Sequence, residues 1–306
     1  MTTPRRQNVA ASVRQRLLNK AREQKEGFDL VLVRFALERL LYRLSQSSHA
    51  QRFVLKGAML FQIWSGHSHR PTRDLDLLGT GTPSPQEFEQ LFREVCDQRV
   101  EDDGLVFRAD TVQAERMKED EQYEGLRLKL QAQLASARIP IQVDIGFGDA
   151  VTPGVDEITY PVILDFPSPT LKTYPRETVV AEKFQAMVML GIANSRMKDF
   201  YDIWTLARTF EFSGITLATA IRATFDRRQT SLPHALPLAF TTEFTQDAQK
   251  LAQWKAFIRK GNLPAEGNSL PQIAEVLAEF LMPPTLALIS ENEFRQAWSP
   301  DGKWQS

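Results

Sequence analysis

The chain of 306 residues is poor in features that define several classes of protein. It has one cysteine, Cys96, which excludes an intrachain disulfide and fits a reducing compartment, the cytoplasm. Cys96 lies in FREVCDQ with no histidine placed to activate it, so it reads as a helix packing residue. No uninterrupted apolar run of about 18 residues is present, and no membrane partner is expected. The opening MTTPRRQNVAASVRQRLLNK has early arginines but no apolar stretch, so it does not read as a signal peptide. There is no G-x-x-x-x-G-K-[ST] loop, no G-x-S-x-G elbow and no H-E-x-x-H pair. His67 and His69 form an H-x-H in a loop, but they lack a nearby cysteine or further histidine to complete a zinc site. The aromatic residues are scattered, so no stacking platform for single strands is evident.

What is present is an ordinary globular composition, 42% hydrophobic and 25% charged, with an uneven charge distribution. The formal net charge is −1, yet residues 1–73 sum to +10, residues 74–125 to −10 and residues 126–306 to −1. A basic segment of that size can meet phosphate, although Lys and Arg can equally solvate helix faces.

Residues 8–24 and 28–45 carry helical periodicity, the second through Leu30, Val33, Leu37, Leu40 and Leu44. RFVLKGAMLFQIW then reads as a short strand around Val54 and Leu55, a Lys56-Gly57 break, and a helix from Ala58 to Trp64. Residues 85–99 are amphipathic and helical. Residues 101–124 are acidic and poorly patterned apart from a strand near Leu105 to Phe107. EGLRLKLQAQ alternates, with Leu126, Leu128 and Leu130 on one face and Arg127, Lys129 and Gln131 on the other. IPIQVDIGFGD does the same, placing Asp144 on a polar face, and YPVILDF is a further strand candidate. From Pro175 the chain becomes mainly helical. A buried helix is expected over RETVVAEKFQAMVML and another over 196–210 with Phe200, Ile203, Trp204 and Ala207 inward. After a Pro-rich break at 231–240, helices are expected near 244–259 and 271–281. The pattern predicts an α/β (α+β) catalytic domain over 1–170, including the N-terminal basic helices, and a helical domain over 171–306.

Chemistry concentrates in three places. In RPTRDLDLLG, Asp74 and Asp76 share one face of a strand while Leu75 and Leu77 share the other. Two like charges at that spacing are unfavourable unless a divalent cation lies between them, and Asp144 offers a third carboxylate from another strand. Lys56, Gly57 and Ala58 precede that strand, where glycine lets backbone approach a phosphate and a helix N-terminus favours an anion. Lys183 interrupts a nearly all-apolar helix, where an ammonium is costly unless it reaches an anion or snorkels to solvent or a carboxylate. SRMKDFYDIW places Arg196, Asp199 and Asp202 at three-residue spacing on one helix, with Lys198 beside them. Surface ion pairing accounts for that helix as well as a functional role does.

These segments, RFVLKGAMLFQIW, RPTRDLDLLG, IQVDIGFGD, ETVVAEKFQAM and SRMKDFYDIW, in that order, resemble the AbiEii/AbiGii nucleotidyltransferase toxin family of type IV-like toxin–antitoxin and abortive-infection systems, which includes MenT-like tRNA-modifying toxins. The resemblance spans about residues 9–210, with little signal after about 214. It implies a DNA polymerase β-type nucleotidyltransferase fold and a helical C-terminal part contributing a lysine and an aspartate to the cleft. Asp74 and Asp76 match the catalytic metal pair, Asp144 the third metal carboxylate of the wider superfamily, Lys183 the essential lysine and Asp199 the essential aspartate. Lys56, Gly57, Ala58, Lys183 and Asp202 fall at nucleotide-binding positions. The implied reaction transfers NMP, often a pyrimidine nucleotide, from an NTP to the 3′ end of a tRNA acceptor stem and blocks aminoacylation, with Mg²⁺ or Mn²⁺ as cofactor and a cognate antitoxin as partner. Gly57-Ala58 departs from the usual Gly-Ser, which removes a hydroxyl from the phosphate loop. Transfer to a protein or small molecule, and nucleotide or partner binding without turnover, stay open.

Overall fold

The structure is a computed structural model that describes residues 8–66, 70–120, 123–263 and 269–305. His67 and His69 lie outside the described residues. The chain divides into two compact units, one comprising residues 1–148 and 156–173, the other 149–155 and 174–306.

The first unit is α/β. Its elements are α1 (Val9–Gln24), α2 (Phe28–Gln46), β1 (Phe53–Lys56), α3 (Leu60–Ser65), β2 (Asp74–Gly79), α4 (Pro85–Cys96), β3 (Leu105–Asp120), β4 (Tyr123–Leu134), β5 (Ala137–Phe147), β6 (Asp156–Thr159) and β7 (Thr170–Thr173). The strands form one mixed sheet in the order β3-β4-β5-β2-β1-β7-β6, with β2 parallel to β5 and β1 parallel to β7. Helix ends follow local chemistry. The Asn8 side chain accepts the amide of Ala11 at the start of α1, and Ser84 caps α4 with Pro85 in its first turn.

Alternation divides the sheet into an apolar and a polar face. Leu75 and Leu77 of β2, Leu126, Leu128 and Leu130 of β4, and Ile141, Val143 and Ile145 of β5 are all at most 3% exposed. Helix α2 packs against β5 and α4 against β3. Cys96 is a buried packing residue at the end of α4, its thiol pushed up to about 12 chiefly by burial.

Two expectations are corrected here. The acidic segment is no irregular excursion: β3 runs sixteen residues and pairs with β4 along most of its length, with register shifts between Arg108 and Gln113 and between Lys118 and Asp120. Those shifts break the two-residue alternation that would have marked it as a strand. YPVILDF lies between strands, not in one. Pro161 lacks a donor for a ladder, and the Ile163 amide donates to Glu38 Oε2 at 2.8 Å. Tyr160 and Leu164 are buried, and Arg39 donates to the Pro167 carbonyl. Apolar side chains here anchor a loop.

The second unit is mainly helical: α5 (Arg176–Leu190), α6 (Met197–Thr209), β8 (Phe212–Ser213), α7 (Gly214–Arg227), α8 (Thr242–Thr245), α9 (Ala248–Gly261), α10 (Leu270–Ile289), β9 (Ala297–Ser299) and β10 (Lys303–Gln305). The three strands form a separate small sheet, and Trp204 of α6 is only half-buried. Helix α10 starts with a Ser269–Gln272 capping box and is longer than the sequence pattern suggests, because it continues through Pro283 and Pro284. Those prolines leave the carbonyls of Glu279 and Phe280 without helical donors, and the Trp304 indole N–H donates to both, at 3.1 and 3.2 Å. By length and composition α10 is apolar enough to cross a membrane, but Leu270, Ile273, Leu277, Phe280 and Leu281 are fully buried and the helix packs on α6 and α7.

Candidate active site

In the first unit the strand register aligns charged residues across the sheet. Lys56 is the partner of Asp76 between β1 and β2, Asp76 of Asp144 between β2 and β5, Asp144 of Arg127 between β5 and β4, and Arg127 of Glu115 between β4 and β3. A second row lies two residues along on the same face: Asp74, Gln142, Lys129 and Gln113. The alternation that sends leucines into the core thus gathers the carboxylates on the opposite face.

Asp74, Asp76 and Asp144 are half-buried, and one oxygen from each lies within 4.8 Å of the others. Adjacent carboxylates repel, so the cluster is costly unless cations compensate it. An all-oxygen, partly exposed donor set suits a hard divalent ion, and these residues fit one. Thr72 Oγ1 donates to Asp74 Oδ1 at 2.6 Å, fixing that carboxylate's rotamer. Gly57 lies behind Asp76 at φ +75°. A Cβ placed there would come within 2.6 Å of the Asp76 carboxyl carbon, so glycine is required by both backbone and space. The expected role of Gly57 beside a phosphate therefore has a structural companion, the seating of Asp76. Ala58 is buried, and a tight turn over Gly57–Met59 precedes a six-residue helix that starts only at Leu60. That helix is too short to supply much dipole to an anion.

Arg127 is the residue that pattern reading alone leaves unassigned. Its Nε donates to Asp144 Oδ1 at 2.8 Å and its Nη2 to Oδ2 at 2.7 Å, a bidentate fork, while Gln142 donates to Oδ2 at 3.2 Å. The fork, ahead of the weaker fields of Glu115 and Asp74, holds the guanidinium pKa above its ordinary value. Beside this row is a groove of about 600 Å³ lined by Arg73, Thr111, Gln113, Lys129, Gln131 and Gln142 among others.

Several cations of the basic N-terminal segment are matched by carboxylates within their own unit. Arg39 and Arg43 are buried and share Asp103, Arg34 pairs with Glu26, Arg52 with Glu87, and Arg16 with Asp165. These cations brace helices, which weakens the expectation that the segment presents a free phosphate-binding surface.

The second unit holds the other cluster. Lys183 on α5 donates to Asp199 Oδ1 at 2.6 Å and lies 2.9 Å from Asp202 Oδ2, both on α6. The aspartate side chains are 1% and 0% exposed, so surface ion pairing does not describe them. Arg196 Nε contacts Asp199 Oδ2 at 2.8 Å, and the four groups together are charge-balanced. Burial acts to raise the Asp199 pKa, but the charges of Lys183 and Arg196 outweigh it and hold the carboxyl below its ordinary value. Lys198 is exposed and takes no part.

A carboxylate cluster on a sheet face that fits a hard divalent ion suits chemistry on phosphate groups. The match that narrows this class is to the family described as nucleotidyl transferase AbiEii toxin, type IV toxin–antitoxin system, over residues 39–279. The chain belongs to that family. The match begins after α1 and extends through α9 into α10, well beyond the segments that carry the resemblance in the sequence. No curated protein matches the chain. Among solved structures it is similar to a candidate nucleotidyltransferase from H. pylori, at 16% identity and TM-score 0.49, covering 85% of this chain and 96% of that one. JHP933 from Helicobacter pylori is similar at 16% identity and TM-score 0.48, covering 84% and 95%.

Proposed function

We propose that this family member is a Mg²⁺-dependent toxin that transfers NMP, a pyrimidine nucleotide, from an NTP to the 3′ end of tRNA in the cytoplasm, and that a cognate antitoxin opposes it. The observation that carries this reading is the convergence of Asp74, Asp76 and Asp144 on one sheet face in a nucleotidyltransferase family member. The sheet is read as the polymerase β-type nucleotidyltransferase sheet, with residues 1–170 as the catalytic domain and 171–306 as the helical one.

The pair Asp74 and Asp76, with Asp144 completing the donor set, would hold the ion, and Mn²⁺ would serve in place of Mg²⁺. A bound ion supplies neutralisation of phosphate charge and a lowered pKa for the attacking hydroxyl. Thr72 and Gly57 keep the two carboxylates in place. Lys183 is assigned to the triphosphate, with Asp199 and Asp202 holding its ammonium in one position, and Lys56 and the Gly57-Ala58 backbone are assigned to nucleotide binding. The acceptor oxygen forms a bond to the α-phosphorus, the α–β bridging bond breaks, pyrophosphate leaves, and the hydroxyl proton passes to solvent. The groove with Arg73 and Lys129 is the region read as meeting acceptor phosphates, whose contacts give affinity independent of sequence.

The test is incubation of the purified protein with Mg²⁺, total tRNA and each α-labelled NTP in turn, resolved on a denaturing gel. A lengthened, labelled tRNA band with CTP or UTP is expected. Label appearing only in protein or small molecules would overturn the tRNA assignment.

A further inference from the structure

The turn that joins α5 to α6 connects the helix of Lys183 to the helix of Asp199 and Asp202. A second buried lysine holds that turn. Lys250, in the first turn of α9, is 4% exposed, and its Nζ donates to the Asn194 carbonyl at 2.9 Å. It lies over the Phe244 ring at 5.2 Å, and Phe244 stacks on Phe200 of α6. No carboxylate pairs with it among the described residues. That placement is costly twice over. A buried ammonium without a counter-ion loses hydration, and a cation near a helix N-terminus opposes the dipole of its own helix. The charge serves another element, the carbonyl end of α5 and the tight turn Gly191–Ala193 that follows it. Asn194 carries a cost of its own. It is 1% exposed and its Nδ2 has no hydrogen-bond partner among the described residues, while its Oδ1 accepts the Arg196 amide at 2.8 Å.

Building on the assignment of Lys183 to the triphosphate, we propose that Lys250 is a positioning residue for nucleotide binding: it pins the α5–α6 turn through the Asn194 carbonyl and so sets Asp199 against Lys183. The bonds run in sequence. Lys250 holds the Asn194 carbonyl, Asn194 Oδ1 holds the Arg196 amide, and the Arg196 carbonyl accepts the Asp199 amide at 2.9 Å. Arg196 Nε then contacts Asp199 Oδ2 at 2.8 Å, and Asp199 Oδ1 accepts from Lys183 at 2.6 Å. Every group in this chain of bonds lies in the second unit. A shift of the turn moves Arg196 and the start of α6 together, and the ammonium of Lys183 with them. Misplacement of a binding group by about 1 Å is enough to cost up to about a hundredfold.

Calorimetric titration of the full-length protein with CTP, UTP, ATP and GTP in turn, in Mg²⁺, selects the nucleotide that the wild type binds most tightly, and the variants are titrated with that one. Lys250→Met removes the ammonium and Asn194→Ala the bond to the Arg196 amide, and each is expected to weaken binding about tenfold. Lys255→Met removes the same charge from an exposed position on the same helix and is expected to change affinity by less than about twofold. Lys183→Met is weakened on its own, and adding Lys250→Met to it should bring no further loss, because Lys250 acts through Lys183. A lysine that merely stabilised the fold would bring the same loss in both backgrounds. Circular dichroism at the titration temperature establishes that each variant is folded, and Asn194→Ala decides the question if Lys250→Met does not fold. Wild-type affinity in Lys250→Met or Asn194→Ala, an equal loss in Lys255→Met, or a full further loss in the Lys183→Met background would each overturn the proposal. No NTP binding by the wild type, or wild-type affinity in Lys183→Met, would instead overturn the triphosphate assignment itself, and the proposal with it.

Discussion

Replacing Gly57 by alanine tests how the loop and the carboxylate pair are built together. At φ +75° an L-residue carries a left-handed backbone penalty of about 1–2 kcal/mol. The new Cβ would also approach the Asp76 carboxyl carbon to 2.6 Å and its Cβ to 2.7 Å, closer than real Cβ contacts come. Forcing an extra methyl into packed space costs about 1–3 kcal/mol. The two contributions together give about 2–5 kcal/mol if the structure resists. If instead Asp76 moves aside, the cost appears as Mn²⁺ affinity lowered by about tenfold or more. Gly66 supplies the control: its φ is +74°, but a Cβ there meets nothing within 4 Å among the described residues. Gly66→Ala should therefore carry only the backbone contribution and leave Mn²⁺ binding unchanged. Thermal unfolding and Mn²⁺ titration of both variants separate the contributions, with about 2–4 °C lost per kcal/mol for a unit of this size. Equal losses in Tm for the two variants, with Mn²⁺ binding intact in both, would refute the claim that Gly57 seats Asp76.

Two further outcomes follow from buried charges. Lys183→Met removes the ammonium that both buried aspartates, Asp199 and Asp202, contact, and should destabilise the protein by about 3–5 kcal/mol at pH 7 in urea titration. In the wild type the lowered Asp199 pKa gives stability that is present above its ordinary value of 3.8 and is lost as pH falls. In Lys183→Met the trend reverses, with stability rising from pH 7 toward pH 5, and an unreversed trend would contradict the assignment. Glu38 behaves oppositely to Asp199: burial, against the opposing Ile163 amide and the Arg39 charge, raises its pKa from 4.5 to about 8. The folded state therefore holds its proton more tightly, and stability falls as pH rises from 4.5 to about 8. Glu38→Gln should flatten that slope in denaturant titrations at pH 5, 6.5 and 8, and a slope unchanged by the substitution would contradict it.

The parts legible in the sequence are those governed by local periodicity. Leu75 and Leu77 against Asp74 and Asp76, and the leucines of β4 against Arg127 and Lys129, announce which side chains enter the core, and the two-residue period also predicts that Asp144 stands on a polar face. What periodicity does not contain is register between distant strands. That Arg127 lies opposite Asp144, seventeen residues away, depends on how β4 and β5 pair, and this pairing turns a polar-face arginine into the partner of a carboxylate in the cluster. The sixteen-residue β3 was obscured by its register shifts, and α7 by a modest amphipathic pattern that follows directly on Gly214. The basic excess of residues 1–73 is plain from counting, but only tertiary pairing shows Arg39, Arg43 and Arg52 engaged by Asp103 and Glu87. Lys183 in an apolar helix did signal an anion. The structure gives it two, Asp199 and Asp202.

The most direct test of the central claim is transfer of label from α-labelled NTPs into the macromolecules of a cell extract, with Mg²⁺, by the wild type and by Asp76→Ala. Labelled product with the wild type, absent with folded Asp76→Ala, is the expected result whichever acceptor is used. Equal labelling by the two proteins, or none above background with any NTP, would contradict metal-dependent nucleotidyl transfer at Asp74 and Asp76.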